Sequence, residues 1–559
     1  MSSRRARALL GATLAAAALF ASGRAATPRF YPDDPIQVDH DTAFDASGAQ
    51  PLELSEWYDF LENTFAAPAN TANIRALNVN TVDEVPDSSW FTSRIGRGGM
   101  SIADIVRGPD RVERLDVDEW VIVRDKGAAG FQPGFRAVDA RHPEQLYQLE
   151  VDVKQYRDLS SSAELIGTTV YHAIGYNVVD VYLVDVDPAK IRIAPTATIR
   201  DASGRRPYRR GDLDEVLDAA ARNPDGTYRM TAGRFVEGEP MGNFKYFGTR
   251  PDDPNDIYPH EHRRELRANR AFGAWLNHDD SRALNTLDMR VTEGDRKWIR
   301  HYMFDFGSIL GNTPDRRSSG HAYLFERRSA LAGLLSLGFR VPPWQLIDYP
   351  DALRSSVGLI EGDAFDPERW KPEYPNRAFD HMRGDDAFWA ARIIGRFSDA
   401  AIRAVVAKAR YSDRRAEQYI ADTLIKRRNK ILATWLTGVN PIVDPSLDRD
   451  GVLTFENAAV AAGVATPPTE YVLAWSRFDN ATDAAVGPRV ETRVRQGEAP
   501  APAAIIGDSE FITVAIQSVH PDHPQWQAPV RLHFRRTSQG WQTVGLERTL
   551  HPESTGWSR

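Results

Sequence analysis

The chain has 559 residues, with 69 Lys and Arg against 77 Asp and Glu, a formal net charge of −8. An acidic chain of this kind does not attract polyanions, which excludes nucleic acid as a partner and argues against tight binding to anionic lipid. The absence of cysteine excludes disulfides, thiolate nucleophiles and zinc–thiolate sites, while 42% hydrophobic residues supply cores for two or three domains.

Arg4, Arg5 and Arg7 precede a short apolar run from Leu9 to Ala21 and the small pair Ala25–Ala26, the pattern of a cleaved export signal over residues 1–26. Its removal leaves 65 basic and 77 acidic residues. The run is short for a bilayer span, and Leu331 to Val341 fits a buried helix better. No transmembrane segment is therefore expected after cleavage, and the mature protein is expected to be periplasmic or extracellular.

Residues 27–105 are punctuated by proline and aspartate, with one helical stretch around Leu52 to Phe65. They read as an extension packed on the main domain. Residues 106–236 carry strand signals at Trp120 to Val123, Phe135 to Val138, Tyr147 to Val153 and Val178 to Val184. A glycine-rich turn, DKGAAGFQPG, joins the first two. Ser160 to Ser162 are placed to cap a helix from Ala163 to Ile174, which Gly175 ends. Residues 185–226 look like an insertion with a helix at Leu213 to Ala221. Glu237 to Pro240 suits a hinge.

Residues 237–440 turn mainly helical. A helix from Glu261 to Leu276 runs into HDDSRALN (278–285). Two strands, Thr286 to Val291 and Lys297 to Phe304, follow and lead to Asp305-Phe306-Gly307. Arg414 to Leu436 is a long amphipathic helix capped by Ser412 or Asp413, with Lys426, Arg427, Arg428 and Lys430 on its polar side. Residues 441–559 change to period two and read as a separate β-domain, with Gly497 to Pro502 as an exposed loop. The histidines at 260, 262, 520 and 523 read as solvated or capping groups.

Element order and residues together resemble the atypical branches of the protein-kinase-like superfamily. His278-x-Asp280 followed by Asn285 reproduces that family's catalytic loop after an apolar helix. Asp305-Phe306-Gly307 stands where the family keeps its metal-binding aspartate. The chain is also similar to a group of exported bacterial proteins of unassigned function. The resemblance covers roughly residues 115–435. It implies an α+β, bilobal core with a mixed or antiparallel β N-lobe and a mainly helical C-lobe, followed here by the antiparallel β-domain.

The same resemblance implies roles. Asp305 and Asn285 would hold Mg2+ or Mn2+ with ATP, Asp280 would take the acceptor hydroxyl's proton, and Gly127, Gly130 and Gly134 would cover phosphates. Glu164 is placed as the helix glutamate. The family's strand lysine is missing, however: Glu150 stands there. Lys154 shares its strand parity, and Lys126 in the glycine loop is another phosphate contact to weigh against a solvated lysine. Two functions follow: an exported metal-dependent phosphotransferase acting on an unidentified protein or glycan acceptor, or a catalytically inactive pseudokinase scaffold that binds envelope partners.

Overall fold

The computed structural model describes residues 27–551, apart from 67–72, 128–131, 314–315, 318–320, 326–330, 332–333, 337–340 and 342. The architecture is mixed α+β, with several sheets and a helical body. Among the described residues no helix is long and apolar enough to cross a membrane.

Alternating apolar residues build the first sheet. β1 (Trp120–Asp125), β2 (Gly134–Asp139) and β3 (His142–Val151) pair antiparallel in sequence order. Next come α1 (Leu159–Ile174), β4 (Val181–Val186), β5 (Ile191–Asp201), β6 (Gly204–Pro207) and β7 (Tyr228–Arg234). The seven strands lie in the order β4–β7–β3–β2–β1–β5–β6, with β5 parallel to β1. The expected insertion at 185–226 is thus part of the sheet, and its helix, Arg210–Ala219, buries Leu213 and Leu217 against Trp120, Ile122 and Leu149.

The start of α1 corrects the expected serine cap. The helix begins at Leu159, so Ser160, Ser161 and Ser162 sit buried inside its first turn. Asp152 takes over the capping role: its Oδ1 accepts the backbone N–H groups of Ser160 and Ser161 at 3.1 and 2.9 Å, which satisfies donors that a helix start leaves open. Arg229 on β7 donates to Ser161 Oγ, to Ser162 Oγ and to the carbonyls of Ala409 and Arg410. It ties the sheet to the helical body.

That body is built on α2 (Arg264–Leu276), Gly384–Gly395, Asp399–Lys408 and α3 (Arg414–Trp435). Phe272, Trp275, Ile394, Phe397, Leu424, Ile431 and Trp435 share its core, each worth about 1.5–3 kcal/mol on burial. Arg427 and Arg428 do not lie on a solvated face. Both are buried, and Arg427 donates to the carbonyls of Ala274, Trp275 and Glu361, closing the C-terminal end of α2. Of the segment 331–341, the described Leu331, Leu334, Leu335 and Val341 are exposed, contrary to the expected buried helix.

β8 (Thr286–Glu293) and β9 (Arg296–Met303) form a regular hairpin. Glu239–Gly242 pairs with β8, so the segment expected to be a hinge is anchored in this second sheet. The β-domain contains β10 (Glu470–Asp479), β11 (Ala484–Val494), β12 (Phe511–Val519), β13 (Val530–Thr537) and β14 (Gly540–Arg548), in the order β11–β10–β12–β13–β14. Glu498–Pro500, expected as an exposed loop, is a strand on Val452–Thr454 with Ala499 buried. From the N-terminal segment, Phe30 reaches Phe478, Phe511 and Val544 of the β-domain, while Leu52 donates to Met241 O.

Candidate active site

The end of α2 delivers the first group of side chains. Asn277 takes a left-handed conformation and stops the helix, and the chain turns into His278, Asp279 and Asp280. Asn285 Nδ2 donates to Asp280 O at 2.8 Å, folding the loop back on itself. This leaves the amide oxygen as the atom a cation would meet. Arg282 Nε lies 2.5 Å from Asp280 Oδ1, and Arg282 also pairs with Glu56 at 2.6 Å. Burial raises the Asp280 carboxyl to about 6, against the pull of Arg282.

The β8–β9 hairpin delivers the second group. Asp305 follows it with φ +63, a left-handed conformation that costs a non-glycine residue free energy. Phe306 turns inward against Tyr171 of α1 and His278, with ring centroids 4.6 and 5.6 Å apart. Its backbone N–H bonds to Glu164. Gly167 makes this contact possible, since a Cβ there would come 2.4 Å from Phe306 Cβ. His278 is buried, and that burial pushes its imidazole down to about 3, so it stays neutral.

The seven-stranded sheet delivers the third group. Glu150 on β3 meets Lys126 Nζ at 2.5 Å, and the same ammonium donates to Gln132 O at 2.9 Å. Lys126 is therefore held in the site and is not a solvated loop lysine. Enclosure deep in the protein, then repulsion from Glu150 and Asp280, raise Asp305 to about 7, although its side chain still opens onto solvent. Burial, then Asp305 and Glu150, raise Glu164 to about 8. Asp280, Asn285, Asp305, Glu150, Glu164 and Lys126 thus belong to one polar cluster.

Of the other expected nucleotide contacts, Lys154 stands outside this cluster. Lys154 is exposed and lies past the end of β3, because the strand stops at Val151 and the chain turns toward α1. Gly134 is the first residue of β2, and a Cβ on it would come 2.2 Å from Leu149 O, so the close approach of β3 requires the glycine. Gly127 follows β1 with φ +96, which fits a tight turn. Gly130 lies outside the described residues. His260 is held by Asp256 at 2.7 Å and by Lys245 O, and His520 by Thr466 at 2.9 Å.

An all-oxygen donor set suits a hard divalent cation, and the crowded carboxylates would be relieved by one. Among the described residues no three His, Cys, Asp or Glu side chains converge as a complete metal site. A cation here would be held by Asp305 and Asn285, with water and phosphate oxygens as further ligands, the usual manner of magnesium.

No family model matches the chain. No curated protein matches it either. Among solved structures it is similar to a proinflammatory kinase of Helicobacter pylori, CtkA, at 11% identity and a TM-score of 0.26, over 55% of this chain and 94% of that one. A likeness that loose fixes no residue's role.

Proposed function

We propose that the protein is an exported, metal-dependent phosphotransferase with a kinase-like core, in which Lys126 supplies the cation that β3 lacks. The observation that carries this reading is the Lys126–Glu150 contact at 2.5 Å, in the cluster that holds Asp305 and Asp280. Position 150 is acidic, yet an ammonium reaches it from the end of β1. In this reading Lys126 steers phosphate oxygens, Asp305 and Asn285 hold Mg2+ or Mn2+, and Asp280 accepts the proton of an acceptor hydroxyl. Phosphoryl transfer needs little more than such positioning and charge compensation. Residues 1–26 would direct export, and the acceptor would be a protein or glycan of the cell envelope.

A specific observation also favours the pseudokinase scaffold. Lys126 is already engaged by Glu150 and by Gln132 O, and Asp280 by Arg282. A binding protein would keep these contacts closed.

Thermal unfolding with millimolar ATP and Mg2+ or Mn2+ separates the two. A ligand at about a hundred times its dissociation constant adds roughly 2.7 kcal/mol of stability. The phosphotransferase should show a metal-dependent shift that Asp305→Ala and Lys126→Ala each remove. No shift at any nucleotide or metal concentration would rule out ATP-dependent catalysis and leave the scaffold.

A further inference from the structure

The five-stranded sheet of the β-domain carries a cleft of about 480 Å3 on the face turned away from its core. The floor is low because the residues there are small. Ala474 pairs with Ala515 and Ser476 with Thr513 across β10 and β12, while their neighbours Leu473, Trp475, Val514 and Ile516 point into the core. On the edge strand β11 the register slips opposite the Trp475–Arg477 step, and Gly487 has φ +74. This irregular stretch includes Arg489, which lines the cleft. Arg531 lines it from β13, and Arg29 reaches it from the N-terminal extension.

The polar groups are unevenly matched. Arg29 is paired with Asp483 and Glu547. Arg531 lies 3.7 Å from Glu547. Arg489 has no acidic partner among the described residues, so three guanidinium groups face two carboxylates in a chain whose overall charge is negative. Ser476 is only 8% exposed, lines the cleft and has no hydrogen-bond partner among the described residues. Its hydroxyl is not sealed off but opens onto the cleft, free to meet a ligand. Thr513 donates its hydroxyl to Leu532 O and Gln517 one amide N–H to Gln527 O, and both side-chain oxygens remain as acceptors.

We infer that this cleft binds a small carboxylated sugar. Its volume suits a molecule of one or two sugar rings. A guanidinium fork matches a carboxylate with two parallel hydrogen bonds, which assigns the acid group to Arg489, the guanidinium without an acidic partner among the described residues. The hydroxyl and amide oxygens of Ser476, Thr513 and Gln517 match ring hydroxyls. The site lies apart from the carboxylate cluster and stands whether or not that cluster transfers phosphate.

Calorimetric titration of the full chain with sodium glucuronate tests this. Saturable binding is expected, with glucose, which lacks the carboxylate, at least about tenfold weaker, the worth of one charge-assisted contact, and with acetate, which lacks the ring hydroxyls, weaker as well. Arg489→Gln, on an exposed strand, should weaken glucuronate about tenfold without moving the melting temperature. Ala515→Phe should fill the floor and abolish binding. If Ala515→Phe does not fold, Arg489→Gln decides alone. The inference is overturned by no saturable glucuronate binding, by glucose binding as tightly, or by glucuronate binding that Arg489→Gln leaves unchanged.

Discussion

Glu164 shows how one buried carboxyl can make stability depend on pH. Its folded value, about 8, lies above the 4.5 of an ordinary glutamate. The native state therefore keeps the proton longer than the unfolded chain does. This contribution to stability is present at acidic pH and is lost as pH rises from about 4.5 through 8. Glu164→Gln removes the charge while keeping the shape. The variant should gain stability over wild type at pH 8 and lose that advantage near pH 4, as read from denaturant midpoints at the two pH values. A gain of equal size at both pH values would mean that charge is not the cause. At this scale the sequence was partly legible. His278, Asp280, Asn285 and Asp305 form a local pattern whose spacing survives folding. Lys126 was harder to read, because its partner Glu150 comes close only after β2 and β3 pair, and nothing local to residue 126 reports that contact.

Elements set what those residues can do. Phe306 is seated on α1 only because position 167 has no side chain. Gly167→Ala improves intrinsic helix propensity by about 1 kcal/mol, but its Cβ collides with Phe306, and overpacking of that kind costs about 1–3 kcal/mol. The variant should be less stable than wild type in urea unfolding. It should also lose more of any nucleotide-dependent thermal shift than its stability loss explains, because Asp305 precedes the displaced ring. Element positions were legible where apolar periodicity was strong: α3 and the β8–β9 hairpin fall close to where their patterns place them. β11 was not legible, since most of its residues are exposed and no alternation marks it. The buried face of Arg427 was hidden for a different reason. Its partners are backbone carbonyls of α2, which leave no trace in side-chain patterning.

The whole molecule is closed by its first described residues. Phe30 is 3% exposed among Phe478, Phe511 and His533, and its backbone N–H bonds to Asn480 across 450 positions of sequence. Phe30→Ala should cost about 3–5 kcal/mol, seen as a lower midpoint in denaturant, although the change sits far from the β-domain in sequence. Such contacts are invisible to patterning, because an isolated Phe in a proline-rich stretch does not reveal what it will cover. The same extension donates to Met241 O from Leu52 and meets Arg282 through Glu56.

That strap has a consequence for synthesis. Chains leave the ribosome N-terminus first, and domains generally close in that order. Here the aromatic socket for Phe30 is built by strands ending at Arg548. The segment around Phe30 must wait, unseated, until the chain has been made as far as Arg548. The β-domain is thus latched by a residue made more than 500 positions before its last strand is complete.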